Sequence, residues 1–388
     1  MTPAAPPPAT DDALQDLGHR LTTTRRVLLP ESSEHLAWSR GTDAGYLSGL
    51  LDYWATDYNW REHEQRIRSL PWTCTPTRHG DLRSIHQPAT GRPGAGGAGQ
   101  AVPVVLLHGW PDSVLRFERV LPLLGDVDLV VPALPGFPFA EPLTRPGTSV
   151  AVMAEWVAEA MRELGYSYYV VSGADVGGDI AEHLAGAHPD RVLALHLSDV
   201  SPRRLGGVDV ASLSPVEREF AARKQAWRTS QGAYLAVQSA TPHSLAVALG
   251  DSPAGLAAWL VDKYRAWSDC AGDLERVFPR PDLLTWITSY WLTGTIGTSF
   301  AAYVEPAHLP TRVHVPTVGR TFTADIPSAP RAFAERFFDV RAWDTQSTGG
   351  HFAAWERPAA FVEGLRPALD LAAGADLAAP TAGGTTLA

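Results

Sequence analysis

In the stretch VVSGADVGGDIAEHL (170–184) a carboxylate, Asp175, stands at the apex of a glycine-rich turn between an apolar run and a helix-patterned segment. A strand that reverses sharply into a helix holds its apex residue in a strained conformation and presents that side chain outward. Gly173 and Gly177, two before and two after, let strand and helix approach closely. The free N–H groups of the helix start favour an anion at the apex. Asp175 therefore reads either as a helix cap or as a nucleophile. A carboxylate nucleophile makes an ester, which a second step must hydrolyse.

The parts for that second step are present downstream. His351 lies in STGGHF (347–352), a glycine-rich loop after the last strand pattern, where it can serve as base. A base of this kind needs a carboxylate to orient it. Asp325 in TFTADIP, just beyond the strand-like RVHVPTVGR, is the preferred partner, and Glu305 is the alternative. The stretch HGWP (108–111) follows an apolar strand, so the Trp110 N–H and the Val176 N–H are the expected pair of oxyanion donors. His108 reads as structural. Activity is expected to fall as pH drops through the His351 pKa, about 6.5 before perturbation.

These residues need a frame that holds strand ends together. After VPVVLLHG (102–109), strand and helix patterns alternate through DLVVPALPG, MAEWVAEAMRELG, SYYVVSG, GGDIAEHLAGAH and VLALHLSD. Continuous apolar strands imply a sheet covered on both faces, and the alternation implies a parallel one. From about 201 to 300 the pattern is helical. Strand patterns then resume, and PAAFVEGLRPALDLAA ends the patterned region as a helix. A helical block between two halves of a sheet reads as a lid. ATGRPGAGGAGQ (89–100) reads as a flexible loop or linker.

Composition narrows the function. The net charge is −10, with 30 Arg and only 2 Lys, and no basic cluster stands out, which argues against a nucleic-acid partner. Cys74 and Cys270 have no metal-ligand spacing, and neither metal nor other cofactor is expected. The N-terminus has no secretory pattern, and apolar runs are far below the ~20 residues of a membrane span. A cytoplasmic, unanchored protein is the expectation, with a homodimer left open.

From about residue 12 to 370 the chain resembles the microsomal-type, juvenile-hormone-like epoxide hydrolases of the α/β-hydrolase superfamily. The resemblance is carried by YWATDYNWREHEQRIRSLP, LLHGWPDS, VVPALPGFPF, GADVGG, DSPAGLAAWLVDKYRAW, YWLTGTIGTS and GGHFAAWERP. It implies an α/β fold with a mostly parallel central sheet flanked by helices, an inserted helical lid and an N-terminal wrapping segment. The expected layout is an N-terminal segment (1–95, with 1–10 disordered), a first core half (96–200), the lid (201–300), a second core half (301–375) and a disordered tail (376–388). It also implies an Asp nucleophile at 175 and two lid tyrosines that activate the epoxide oxygen, by position Tyr234 and Tyr303. Tyr290 reads as core. The family usually carries Trp after the nucleophile; Val176 departs from this and should alter pocket shape rather than the backbone donor.

The expected reactants are a small-molecule epoxide and water. Trp110, Phe137, Val176 and Phe352 are the candidate substrate-lining residues. With the lid tryptophans 227, 259, 267, 286 and 291 they suggest a bulky apolar or aromatic epoxide. Members with this Arg-rich character include enzymes of bacterial secondary metabolism, enediyne pathways among them. The rival readings are a haloalkane or haloacid dehalogenase using the same Asp, and a non-catalytic ligand-binding protein on the same scaffold. Internal capture of the alkoxide, giving a ring rather than a diol, is a further outcome.

Overall fold

The computed structural model describes residues 4–27, 37–90, 102–305 and 308–375. Eight strands, β1 (Trp72–Thr77), β2 (Gly80–Gln87), β3 (Val104–Leu107), β4 (Leu129–Pro132), β5 (Tyr169–Gly173), β6 (Val192–Leu197), β7 (Val313–Phe322) and β8 (Phe338–Gln346), form one sheet. Its order is β1-β2-β4-β3-β5-β6-β7-β8. Only β2 runs antiparallel to its neighbours; from β4 to β8 every pairing is parallel. Every residue of β3, β4 and β5 is buried, which is why these strands read as unbroken apolar runs.

Helices cover the sheet and build a second layer. Three precede it: α1 (Asp11–Thr23), α2 (Ala44–Thr56) and α3 (Trp60–Arg68). Within the core lie α4 (Val150–Glu163) and α5 (Val176–Ala187). The block between β6 and β7 holds α6 (Pro215–Gln231), α7 (Ala233–Ala240), α8 (Pro242–Asp251), α9 (Pro253–Trp267), α10 (Arg280–Thr293) and the short α11 (Ala301–Val304). After β7 come α12 (Arg331–Ala334), α13 (Ala353–Glu356) and α14 (Pro358–Ala373). Two of the lid helices open on clear capping signals. Ser214 caps α6 in a full capping box with Glu217, and Ser252 caps α9 ahead of Pro253. Among the described residues no single helix is long and apolar enough to cross a membrane.

The N-terminal segment differs from its expected form in two ways. It supplies β1 and β2 to the central sheet, so the division at 95/96 falls within the sheet rather than beside it. The hairpin was missed because its turn, Arg78-His79-Gly80, carries one glycine (φ +127°) among charged residues and lacks a strong turn dipeptide. The first ten residues are also not free. Arg83 donates to the Ala4 carbonyl at 3.0 Å, Arg68 to Pro6 at 3.1 Å and Arg61 to Ala9 at 2.8 Å. Guanidinium donors thus pin a Pro-rich stretch that composition alone marks as disordered. Residues 1–3, the glycine-rich part of the 89–100 loop and the 376–388 tail lie outside the described residues.

The same segment clasps the lid. Arg20 bonds the carbonyl and carboxylate of Asp251, Thr42 bonds the Ala258 carbonyl at 2.6 Å, and Tyr58 meets Thr285 at 3.0 Å. The helical block is therefore tied both to the sheet and to α1–α3.

Candidate active site

The turn between β5 and α5 puts Asp175 at φ +55°, ψ −131°, a conformation L-residues avoid. Close packing enforces it. A Cβ on Gly177 would lie 2.3 Å from the Leu107 carbonyl, and one on Gly173 2.3 Å from the Gly177 carbonyl. A side chain on Gly109 would strike the Asp175 carboxylate at 2.5 Å. With these glycines the HGWP loop, which includes a cis Trp110–Pro111 bond, reaches the carboxylate, and the Trp110 N–H donates to Oδ1 at 2.8 Å. Val176 opens α5, so its N–H is one of the free donors of a helix start. Oδ1 is thus occupied, and Oδ2 is the free oxygen.

His351 faces that free oxygen. Its Nε2 is buried without a hydrogen-bond partner and stands 3.8 Å from Oδ2, while Nδ1 lies 2.8 Å from Asp325 Oδ1. Burial alone would lower this imidazole. The Asp325 carboxylate, and behind it Asp175, outweigh burial and raise the group to about 9. The unperturbed value expected from sequence is therefore displaced upward by two carboxylates. Glu305, the alternative acid, accepts from the Gly147 N–H at 2.7 Å and takes no part in the His351 pair.

Across the cleft, α7 and α11 bring Tyr234 and Tyr303 to within 6.3 Å of each other, ring to ring. Trp110 stacks on Tyr234 at 5.4 Å and meets Tyr303 edge-on at 6.0 Å. Trp267 and Phe300 complete the ring cluster around Trp110. The Tyr303 hydroxyl is buried and unpartnered. Burial first, and then the Asp175 charge, push both phenols well above their ordinary range, so each keeps its proton and can donate.

Two of the expected lining residues have closely packed neighbours. Phe352 packs among Tyr264, Phe278 and Trp286, with its ring 5.2 Å from His351. Phe137 is fully buried edge-on against His108 at 5.0 Å. His108 itself accepts the Leu134 N–H at 3.2 Å, in keeping with a structural part. Tyr290 braces the loop by donating to the Asp112 carbonyl, and Tyr264 does the same at Pro111.

Several supporting residues escaped sequence reasoning. Asp112 is wholly buried, accepts the Gly109 N–H at 2.8 Å and pairs with Arg116 at 2.6 Å. Arg116 in turn donates to the His351 carbonyl, joining the donor loop to the base loop. Glu356 gathers the N–H groups of Asp269, Gly350 and Phe352, and burial raises it to about 7. Asp199, after β6, accepts the Asp175 N–H at 3.4 Å and is raised to about 6, first by burial and then by Asp325. Asp112 and Glu356 lie within LLHGWPDS and GGHFAAWERP, yet nothing in their spacing marks a mounting role.

The chain is similar to known proteins over most of its length. Two family profiles match: "Epoxide hydrolase N terminus" over residues 7–117 and "alpha/beta hydrolase fold" over 102–268. A Stigmatella aurantiaca protein that carries an epoxide-hydrolase name is 34% identical over 371 residues, covering 91% of this chain and 81% of that one. "Epoxide hydrolase 1" of Sus scrofa is 27% identical, with 93% and 87% covered. Among solved structures, an enantioselective mutant of the Aspergillus niger epoxide hydrolase superposes with TM-score 0.82 at 27% identity, covering 95% and 96% of the two chains.

Proposed function

The chain belongs to the epoxide hydrolases of the α/β-hydrolase fold, and on that premise we propose that Asp175 opens the epoxide by forming an ester. The reading rests on one juxtaposition. A carboxylate with one oxygen engaged by the Trp110 N–H and the other free has an imidazole Nε2 at 3.8 Å, and its charge acts on two buried, proton-bearing phenols.

In the first half-reaction Oδ2 attacks an oxirane carbon from behind. The C–O bond breaks, and Tyr234 and Tyr303 hydrogen-bond the leaving oxygen, one of them passing it a proton. In the second, His351 takes a proton from water, and that water attacks the ester carbonyl. The oxyanion develops on Oδ1 against the Trp110 and Val176 amides. Collapse releases the diol, and the proton held by His351 returns to the phenolate. Asp325 keeps the imidazole oriented and stabilises its cation. Tyrosine hydroxyls suit an alkoxide, which favours this reaction over dehalogenation. The Trp110, Tyr234, Trp267, Phe300 and Tyr303 rings favour a bulky apolar or aromatic epoxide.

A single turnover in ¹⁸O-labelled water across a panel of aliphatic epoxides, styrene-type epoxides and a chloroalkane tests the scheme. Label should enter the Asp175 carboxylate and be absent from the first diol, with the aromatic epoxides turned over fastest. Label in the first diol would mean direct attack by water, and a preference for the chloroalkane would move the chain to the rival reaction.

The two half-reactions should also differ in pH dependence. A base raised to about 9 is protonated in the resting enzyme at neutral pH. Esterification turns Asp175 from an anion into a neutral group and removes one of the two charges that raise His351, so its pKa falls in the intermediate. Ester hydrolysis should therefore accelerate with rising pH through an apparent pKa below 9, while alkylation stays flat over neutral pH. Rapid-quench rates of the two steps measure this, and a hydrolysis rate indifferent to pH would remove His351 as base.

A further inference from the structure

The chain has 30 arginines and two lysines, Lys224 and Lys263, and both lysines are buried beside the lid cluster. Lys263, on α9, is 6% exposed, and its Nζ stands 5.4 Å from the centre of the Tyr234 ring and 5.6 Å from Trp259. Asp262, the more exposed partner, holds the ammonium at 2.6 Å. Lys224, on α6, lies over Trp227, which itself meets Tyr234 edge-on. Among the described residues no cation lies over the Tyr303 ring. That phenol feels Asp175 first, and after the Tyr234 and Tyr290 hydroxyls also Asp179. The two tyrosines thus occupy electrostatically unequal places.

We propose that Lys263 is a positioning residue that makes Tyr234 the proton donor to the opening epoxide, leaving Tyr303 to hydrogen-bond only. A cation over an aromatic face stabilises the ring more when the ring carries negative charge, and more strongly when water is excluded. As the C–O bond breaks, the Tyr234 proton moves to the oxirane oxygen and a phenolate is left beneath the ammonium. Hydrolysis of the ester then releases one proton, which restores the phenol, so charge and atoms balance over the cycle without a co-reactant. The carboxylates Asp175, Asp199 and Asp325 act on Tyr234 in the opposite sense, which is why a compensating cation matters there. A compact ammonium on a flexible stem fits between the Tyr234 and Trp259 rings where a planar guanidinium needs more room.

The inference rests on the assignment of Tyr234 and Tyr303 as activators, and a mutant cycle separates the two. Single-turnover rates of alkylation and of ester hydrolysis are measured with a styrene-type epoxide for K263M, K263R, Y234F, Y303F and the pairs K263M/Y234F and K263M/Y303F. K263M should slow alkylation about tenfold and leave ester hydrolysis unchanged, with K263R recovering part of the loss. In the Y234F background K263M should cost nothing further, whereas in Y303F it should cost its full tenfold. Equal losses from K263M with and without Tyr234, or a loss confined to ester hydrolysis, would overturn the proposal. Failure of the underlying assignment has another signature: Y234F and Y303F would both alkylate at the wild-type rate.

Discussion

Asp175→Ala is expected to abolish turnover, with epoxide consumption reduced by at least about 10⁴-fold. No other described carboxylate can replace it. Asp199 and Asp325 are near, yet Asp199 is held on the Asp175 N–H and Asp325 is engaged by His351 Nδ1. Water in the vacated space would have His351 beside it but no ester to attack, and an oxirane carbon gains little from an oxyanion hole. Alanine keeps the Cβ, so the strain at φ +55° is common to both proteins and a comparison of melting curves checks the fold. Substrate loss followed by chromatography decides the matter. Residual opening within about tenfold of wild type would mean that another group attacks, and the nucleophile assignment would fall.

His351→Gln should separate the half-reactions. Alkylation draws no proton from the imidazole, so Oδ2 still opens one epoxide per enzyme. Hydrolysis loses its base and should slow by about 10²–10⁴-fold. The whole epoxide joins the protein in this step, and intact mass should therefore rise by the full mass of the substrate, with peptide mapping locating the increment on Asp175. Epoxide should disappear by about one equivalent and then nearly stop, with diol forming only at the slowed hydrolysis rate. Continued turnover with no adduct would argue against a two-step route. The glutamine must also sit in a loop fixed by Arg116, Glu356 and the Trp267 carbonyl, contacts made through the backbone of residues 350–352, which leaves the mounting intact.

What was readable in advance follows from how each signal is encoded. The Asp175 turn was legible because its demands fall on neighbouring residues: Gly173 and Gly177 are dictated by contacts of a few ångströms within one strand–turn–helix unit. Asp325 was legible because it ends a strand beside the one that precedes His351. Tyr234 and Tyr303 came from family resemblance, since a tyrosine on a short helix carries no mark of its direction. The direction of the Phe352 ring is hidden for the same reason. Adjacent to His351 in sequence, it turns into the Tyr264–Phe278–Trp286 cluster, a side-chain direction set by packing from another element. The docking of residues 4–10 depends on partners more than 50 residues away, which local pattern does not hold, while the β1–β2 hairpin is local but its turn carries no strong dipeptide.

The hydrogen bond from Trp110 to Oδ1 gives the two oxygens of one carboxylate different biographies. In the proposed ester route Oδ2 leaves with the first diol, and a solvent oxygen fills its place. While the bond to Oδ1 prevents the carboxylate from turning over, that newcomer is the next to attack and departs with the second diol. Oδ1 remains the atom installed at translation. By that route the protein spends a side-chain oxygen in each cycle and regains one from water, with a memory of a single turnover.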